Sequence, residues 1–157
     1  MMPLRFAYLL DHPEHLRIIA AWHHEEWAYI RPGDTLEARQ KRLAAECGHA
    51  EIPTTLVALA DGQPVGSISL VADDMDTHPE LTPWLASLYV PAAHRRQGIG
   101  AALVQRLIAE ARTLGIPKLY LYTPSEEKFY ARHGWQTLEQ TIYAGKPATV
   151  MFYNLDR

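Results

Sequence analysis

With 157 residues, 48% of them hydrophobic and 21% charged, the chain has the length and composition of one globular domain with a single sizeable core. Its net charge of −3 speaks against a nucleic-acid binder held by charge, and its lone Cys47 excludes an intramolecular disulfide and offers no metal-ligand spacing. No apolar run is long enough to span a membrane, and the short apolar patch in "MMPLRFAYLLDHPEH" does not read as a signal peptide, so a cytoplasmic protein is expected.

No repeat, low-complexity tract or Gly/Ser-rich linker divides the sequence, which predicts one domain over residues 1–157. "PLRFAYLL" predicts a strand stopped by Asp11-His12-Pro13. From Pro13, the residues Leu16, Ile19, Ala20, His23, Trp27 and Ile30 recur at helical spacing up to Arg31-Pro32-Gly33. A second helix is expected from Thr35 to Cys47, with Gly48 as its stop. "TTLVALA" and "VGSISLVA" flank Asp61-Gly62-Gln63-Pro64 and predict a β-hairpin. The acidic stretch "DDMDTHPELT" is expected to be a loop, leading to the strand "WLASLYV", which Pro91 ends.

A third helix follows, with Ile99, Leu103, Val104, Leu107, Ile108, Ala111 and Leu114 on its apolar face and Gly115 and Pro117 at its end. "KLYLYT" predicts a strand, and "SEEKFYARHG" a short helix with Ser125 as N-cap and Gly134 as stop. "WQTLEQTIY" and "ATVMFYNL" predict a closing hairpin around Ala144-Gly145-Lys146-Pro147. The order is β-α-α-β-β-β-α-β-α-β-β. It implies a mixed α/β fold: a mostly antiparallel sheet, about four flanking helices and one central parallel crossover.

Between the fourth strand and the third helix lies "HRRQGIGAAL", His94 to Leu103. Two arginines and a Gly-x-Gly at the start of a helix suit an anion, because the first helical N–H groups lack partners and the dipole makes that end partly positive. A Walker A loop is excluded, since no lysine and hydroxyl residue follow Gly100. A dinucleotide fingerprint fits poorly: Leu103 stands where a third glycine belongs, and the next strand ends at Thr123 without an acidic residue.

What remains, Arg95-x-x-Gly98-x-Gly100-Ala101 after "LYVP", resembles the acetyl-coenzyme A signature Arg/Gln-x-x-Gly-x-Gly/Ala of the Gcn5-related N-acetyltransferase (GNAT) superfamily. "FYARHGW" is similar to that family's Phe-Tyr-x-x-x-Gly-Phe segment, and the element order matches its acyl-CoA acyltransferase fold along essentially the whole chain. The resemblance implies that Arg96, Gln97, Gly98, Ile99, Gly100 and Ala101 cradle the pyrophosphate of acetyl-CoA. Arg95 and Arg96 would add charge, to the pyrophosphate or to the ribose phosphate. It also implies that the pantetheine arm pairs with Leu88, Tyr89 and Val90, where a backbone N–H polarises the thioester carbonyl. Tyr130 matches the family tyrosine that protonates the departing thiolate.

The base is open. Many family members use a carboxylate on the fourth strand or an ordered water, and "PWLASLYV" carries no carboxylate. The substitutes lie in "WHHEEW": Glu25 or Glu26 facing a groove walled by Trp22 and Trp27, or the same glutamates as an exposed pair on an amphipathic helix. A two-histidine zinc motif starting at His24 would need histidine at position 28, where Ala28 stands, so no metal is expected. Asp73, Asp74 and Asp76 either draw in a cationic amine or form a solvated turn. Cys47 reads as packing.

The expected activity is transfer of acetyl from acetyl-CoA to a primary amine, on a small molecule or a peptide N-terminus, by direct attack in a ternary complex. An acyl-CoA sensor of the same fold without turnover is the alternative. A monomer or homodimer, with no nucleic-acid or membrane partner, is expected. The short hairpin turn at Ala144-Gly145-Lys146 suggests an acceptor groove without a heavy lid.

Overall fold

In the computed structural model, which describes residues 3–155, the elements follow the order read from the sequence. The strands are β1 (Leu4–Tyr8), β2 (Thr54–Ala60), β3 (Gln63–Val71), β4 (Trp84–Tyr89), β5 (Lys118–Thr123), β6 (Gln136–Tyr143) and β7 (Lys146–Asn154). The helices are α1 (Leu16–Trp27), α2 (Leu36–Ala45), α3 (Ile99–Thr113) and α4 (Glu127–Arg132). The strands form one sheet in the order β1-β2-β3-β4-β5-β7-β6, and β4–β5 is its only parallel pair among the described residues. No described helix is long and apolar enough to cross a membrane.

Side-chain alternation sorts the core into layers. On β2, Leu56, Ala58 and Ala60 join Leu103, Leu107 and Ile108 of α3 on one face. Val57 and Leu59 join Ile19 and Ala20 of α1 and Leu43 of α2 on the other. All seven residues of β2 are buried, because helices cover both faces; this is why "LVALA" reads as an apolar run rather than an alternation. On β4, Leu85 faces α3, while Trp84 and Ala86 face the α1–α2 side. There they meet Val71, Met75 and Val150, beneath loop 72–83 rather than a helix.

That loop is not the solvated turn its acidity suggests. Met75 is buried in the cluster, the Thr82 hydroxyl donates to the Ala72 carbonyl at 2.6 Å, and His78 Nε2 meets Glu139 Oε1 of β6 at 2.6 Å. An apolar anchor and two ties pull the segment onto the sheet.

Local boundaries differ from the sequence reading: β1 stops at Tyr8, with Leu9–Asp11 in a 3-10 turn, and α2 ends at Ala45 rather than Cys47. The apolar spacing from Pro13 to Ile30 divides into a 3-10 turn (Pro13–His15), α1, and a second 3-10 turn (Ala28–Ile30), because Trp27 leaves helical geometry at φ −123°. Both hairpins turn on two residues only, Asp61-Gly62 and Ala144-Gly145, all four at positive φ, so Gln63-Pro64 and Lys146-Pro147 already belong to strands. Ser125 does not cap α4. Glu126 holds the N-cap position without a side-chain bond, and the Thr123 hydroxyl accepts from the N–H groups of Ser125 (3.4 Å) and Glu126 (2.9 Å).

Candidate active site

β4 and β5 are in register only at Trp84 and Tyr120, with the Tyr120 N–H donating to the Pro83 carbonyl at 3.1 Å. Past that point they have no further ladder pairs. A bulge sets β4 apart on its other edge as well: Ser67 pairs with Tyr89 and Ser69 with Ala86, so Ser87 and Leu88 stand opposite the single residue Ile68. Ser87 takes φ +56°, the kink that permits this. The central sheet therefore splits toward its C-terminal end, leaving β4 without a ladder partner on its β5 side beyond Trp84.

β4 leads through Val90 and the 3-10 turn Ala92–His94 into the start of α3. Gly98 is the N-cap, at φ +80°, a conformation that a residue with a Cβ resists. The first helical bond there runs from the Ala102 N–H to the Gly98 carbonyl at 3.0 Å, so the preceding amides have no intrahelical acceptor. Arg95, Arg96, Gln97 and Gly98 are exposed. Arg95 is partly engaged, since its Nε donates to the Val90 carbonyl at 2.8 Å and its guanidinium lies 5.6 Å from the Tyr89 ring centroid. A bare, electropositive helix start preceded by two exposed arginines fits a pyrophosphate-bearing cosubstrate such as acetyl-CoA.

The split opens into a cleft of about 540 Å³. Ser87 and Leu88 of β4 line it on one side, Tyr122 and Thr123 of β5 and Tyr130 of α4 on another, and α1 with loop 72–83 on the rest. Two tyrosines of the lining meet: Tyr122 and Tyr143 lie 5.2 Å apart between ring centroids, and buried Trp84 packs against Tyr122 at 6.4 Å. Lys146 of the β6–β7 hairpin sits 3.8 Å from the Tyr29 ring centroid. Short as it is, the hairpin reaches the turn after α1.

Charge in the cleft is ordered by burial. His23 is buried and neutral: desolvation, reinforced by the Arg39 charge, holds its pKa down at about 3. Arg39 can only donate, so Nδ1 of His23 accepts from it at 2.9 Å, which leaves Nε2–H to donate to the Ser67 hydroxyl at 3.0 Å. Arg39 also pairs with Glu46 at 3.2 Å. Asp34 holds Arg42 through two hydrogen bonds, 3.0 and 2.6 Å, and the Arg42 guanidinium draws its carboxyl below the usual range. Asp74 goes the other way. Desolvation first, then Glu46, push it up to about 7 against the pull of Arg39 and Arg31. The Tyr130 hydroxyl is raised by burial and by Glu126, so it stays protonated.

The structure gathers some of the residues singled out from the sequence and separates others. Leu88, Glu26, Trp27 and Tyr130 line the cleft. Tyr89 and Val90 lead from it to the arginine-glycine loop. Trp22 is not a wall of the cleft: it stacks on Tyr89 at 5.6 Å and packs against the α1–α2 core. Glu25 is exposed and outside the lining, because α1 turns that position away. Cys47 packs as expected, its Sγ donating to the Leu43 carbonyl at 3.3 Å and its thiol pushed up to about 11 by burial. His12, Glu14 and His15 place three potential ligand atoms within 4.8 Å of one another, and none of them lines the cleft. Sequence reasoning missed His23, Arg39 and Tyr122 as cleft residues and weighed Asp74 only as part of a charge run. The signal for Asp74 was the apolar Met75 beside it.

Comparison with known proteins gives the same fold. The Acetyltransferase (GNAT) family matches residues 16–135. An aminoglycoside 6'-N-acetyltransferase solved with coenzyme A superposes with a TM-score of 0.73 at 16% identity, covering 96% of this chain and 97% of that one. The aminoglycoside 6'-N-acetyltransferase of Enterococcus faecium gives 0.72 at 16% identity, over 98% and 97%. Spermidine/spermine N-acetyltransferase SpeG of Vibrio cholerae, solved with manganese ions, gives 0.71 at 13% identity, over 97% and 92%.

Proposed function

The chain belongs to the GNAT acetyltransferase family, and on that premise we propose that it transfers acetyl from acetyl-CoA to a primary amine by direct attack in a ternary complex. The observation that carries the reading is the split between β4 and β5: it offers an unpaired strand edge that leads straight to the bare start of α3 and borders a polar cleft. An extended arm can pair with that edge as an added strand, through Leu88, Tyr89 and Val90. The amides from Arg96 to Ala101 face the pyrophosphate, and Arg95 and Arg96 supply charge.

Bound acetyl-CoA supplies an activated acyl carbon and a thiolate leaving group. The protein's own residues do the rest. A backbone N–H at the bulge of β4 polarises the carbonyl oxygen. Tyr130, kept protonated by burial, donates to the departing sulfur. Glu26 at the cleft wall receives the acceptor's positive charge, and Trp27 gives it an apolar flank. The surplus of unpaired carboxylates over Arg31 in the lining favours a cationic acceptor.

Tyr130→Phe tests this reading. It keeps the ring, which packs 5.0 Å from Phe129 and 6.1 Å from Trp135, and removes only the donor. Turnover should fall by roughly 10²–10³ while acetyl-CoA affinity barely changes, the pattern of an interaction made in the transition state. An acyl donor with a more acidic thiol should recover part of the loss. Unchanged turnover on every accepted amine would make Tyr130 a packing residue and remove the proposed acid.

A further inference from the structure

We infer that Asp74, on loop 72–83, is the group that takes the proton from the acceptor's ammonium, an assignment that rests on the acetyltransferase reading and deepens it. Asp34 is locked by Arg42 and Glu46 is paired with Arg39, so neither is free to exchange a proton with a ligand. Glu26, Asp73, Asp76 and Glu126 are exposed, open to solvent rather than held against the protein. Asp74 alone among the described cleft carboxylates is half-buried and without a salt-bridge partner.

The loop that carries it is fixed. Buried Met75 follows it directly, and the Thr82–Ala72 and His78–Glu139 bonds close the segment on both sides. Asp74 therefore keeps its place in the cleft without a lid having to move. Tyr122 of β5 and Tyr143 of β6 line the same cleft; burial first and then the Asp74 charge raise the Tyr122 hydroxyl, and burial first, with Asp76 and Asp74 adding to it, raises that of Tyr143. From α2, Glu46 opposes its negative charge while Arg39 favours it; Arg31, after α1, favours it too. Desolvation outweighs the two arginines and sets the carboxyl at about 7.

That value suits the task. An alkylammonium has a pKa near ~10, so an ordinary carboxylate near ~4 is mismatched by about six powers of ten in proton affinity. At about 7 the mismatch shrinks to roughly three, a thousandfold easier transfer, while a useful fraction of the carboxylate remains ionised near neutral pH.

An N–H bond of the ammonium breaks and its proton goes to a carboxylate oxygen of Asp74. The freed lone pair forms the C–N bond to the acyl carbon, the C–S bond breaks with its pair going to sulfur, and sulfur takes the Tyr130 proton. The nitrogen's second proton returns through water to the Tyr130 phenolate, and Asp74 releases its proton to solvent. The products are an acetamide, the free thiol and one proton.

Two measurements test the assignment. The first is the pH dependence of kcat/KM for Asp74→Asn against the wild type, with an accepted primary amine at saturating acetyl-CoA and calorimetric affinity for acetyl-CoA as a control. The wild type should lose activity on the acid side with an apparent pKa near 7; the variant should be down roughly 10²–10³ at pH 7 and lack that limb, with cofactor affinity unchanged. A variant that keeps the limb, or loses less than threefold, overturns the assignment. The second needs no turnover: carboxyl-carbon NMR of aspartate-labelled protein, with the Asp74 signal identified by its loss in Asp74→Asn. A midpoint near 7 supports the assignment and a midpoint near 4 overturns it. Wild-type protein that releases no thiol with any amine instead sinks the acetyltransferase reading, and Asp74's role falls with it.

Discussion

Gly100 separates what the helix start needs for stability from what a phosphate needs for access. A Cβ built on Gly100 would lie 3.8 Å from Phe129 Cζ and 4.0 Å from Val90 Cγ2, ordinary contact distances, so Gly100→Ala fits without displacing anything. Gly100 is the second residue of α3, and replacing glycine by alanine within a helix gains about 0.5–1 kcal/mol. For a chain of this length that raises Tm by roughly 1–4 °C. Gly100→Val is different. Its two γ carbons reach about 1.5 Å beyond the Cβ, into the gap between Phe129 and Val90, and overpacking of this kind costs about 1–3 kcal/mol. The same methyl groups crowd the amides proposed to hold the pyrophosphate. Acetyl-CoA affinity, followed by calorimetry, should stay within about threefold in Gly100→Ala and fall by roughly tenfold or more in Gly100→Val, a loss of about 1.4 kcal/mol or more. Scanning fluorimetry without ligand checks that each variant is folded. A folded Gly100→Val protein with wild-type affinity would refute the placement of the cosubstrate at this helix start.

The two arginines should part company. Arg95 already holds the Val90 carbonyl and lies over Tyr89, so Arg95→Ala should raise KM for acetyl-CoA and loosen the end of β4, seen as faster amide exchange there. Arg96→Ala should raise KM and leave the strand alone; if Arg96 meets the ribose phosphate, dephospho-CoA will mask its loss, and equal effects on both cofactors place it at the pyrophosphate. His23 should make stability depend on pH. Its folded pKa of about 3 lies below the ordinary 6.5, so the stability it contributes is present above 6.5 and is lost as pH falls toward 3. Between pH 7 and pH 5 this one group removes about 2 kcal/mol. Denaturant unfolding of His23→Gln should show a flatter pH dependence over that interval, and an unchanged dependence would mean that His23 binds its proton as readily in the folded protein as in the unfolded chain.

Much of the architecture was written in local patterns. The apolar stripe of α3, the Asp61-Gly62 turn and the two-sided burial of β2 each follow from spacing or turn chemistry within a dozen residues. The arginine-glycine loop was legible for the same reason: its chemistry is backbone chemistry, carried by contiguous residues. The cleft was not. Its existence depends on a bulge at Ser87, a residue that does not announce positive φ, and on β4 and β5 parting after one paired position. Its electrostatics depend on residues distant in sequence: Glu46, Arg39 and Arg31 act on Asp74 only because α2 and the turn after α1 fold against loop 72–83. Glu25 and Glu26 illustrate the limit on a single helix, where spacing names two adjacent candidates and only packing sends one to the cleft and the other to solvent.

The central claim is that this protein turns over acetyl-CoA on amines, and the direct measurement is a broad acceptor screen. Purified protein is mixed with acetyl-CoA and a panel of primary amines, from small cationic compounds to peptide N-termini, and the free thiol and the product mass are read together. The account predicts thiol release matched mole for mole by an acetylated primary amine, with cationic acceptors foremost and the signal strongly reduced in Tyr130→Phe. Tight binding of acetyl-CoA with no thiol released on any amine would contradict it and leave a protein that senses the cofactor without consuming it.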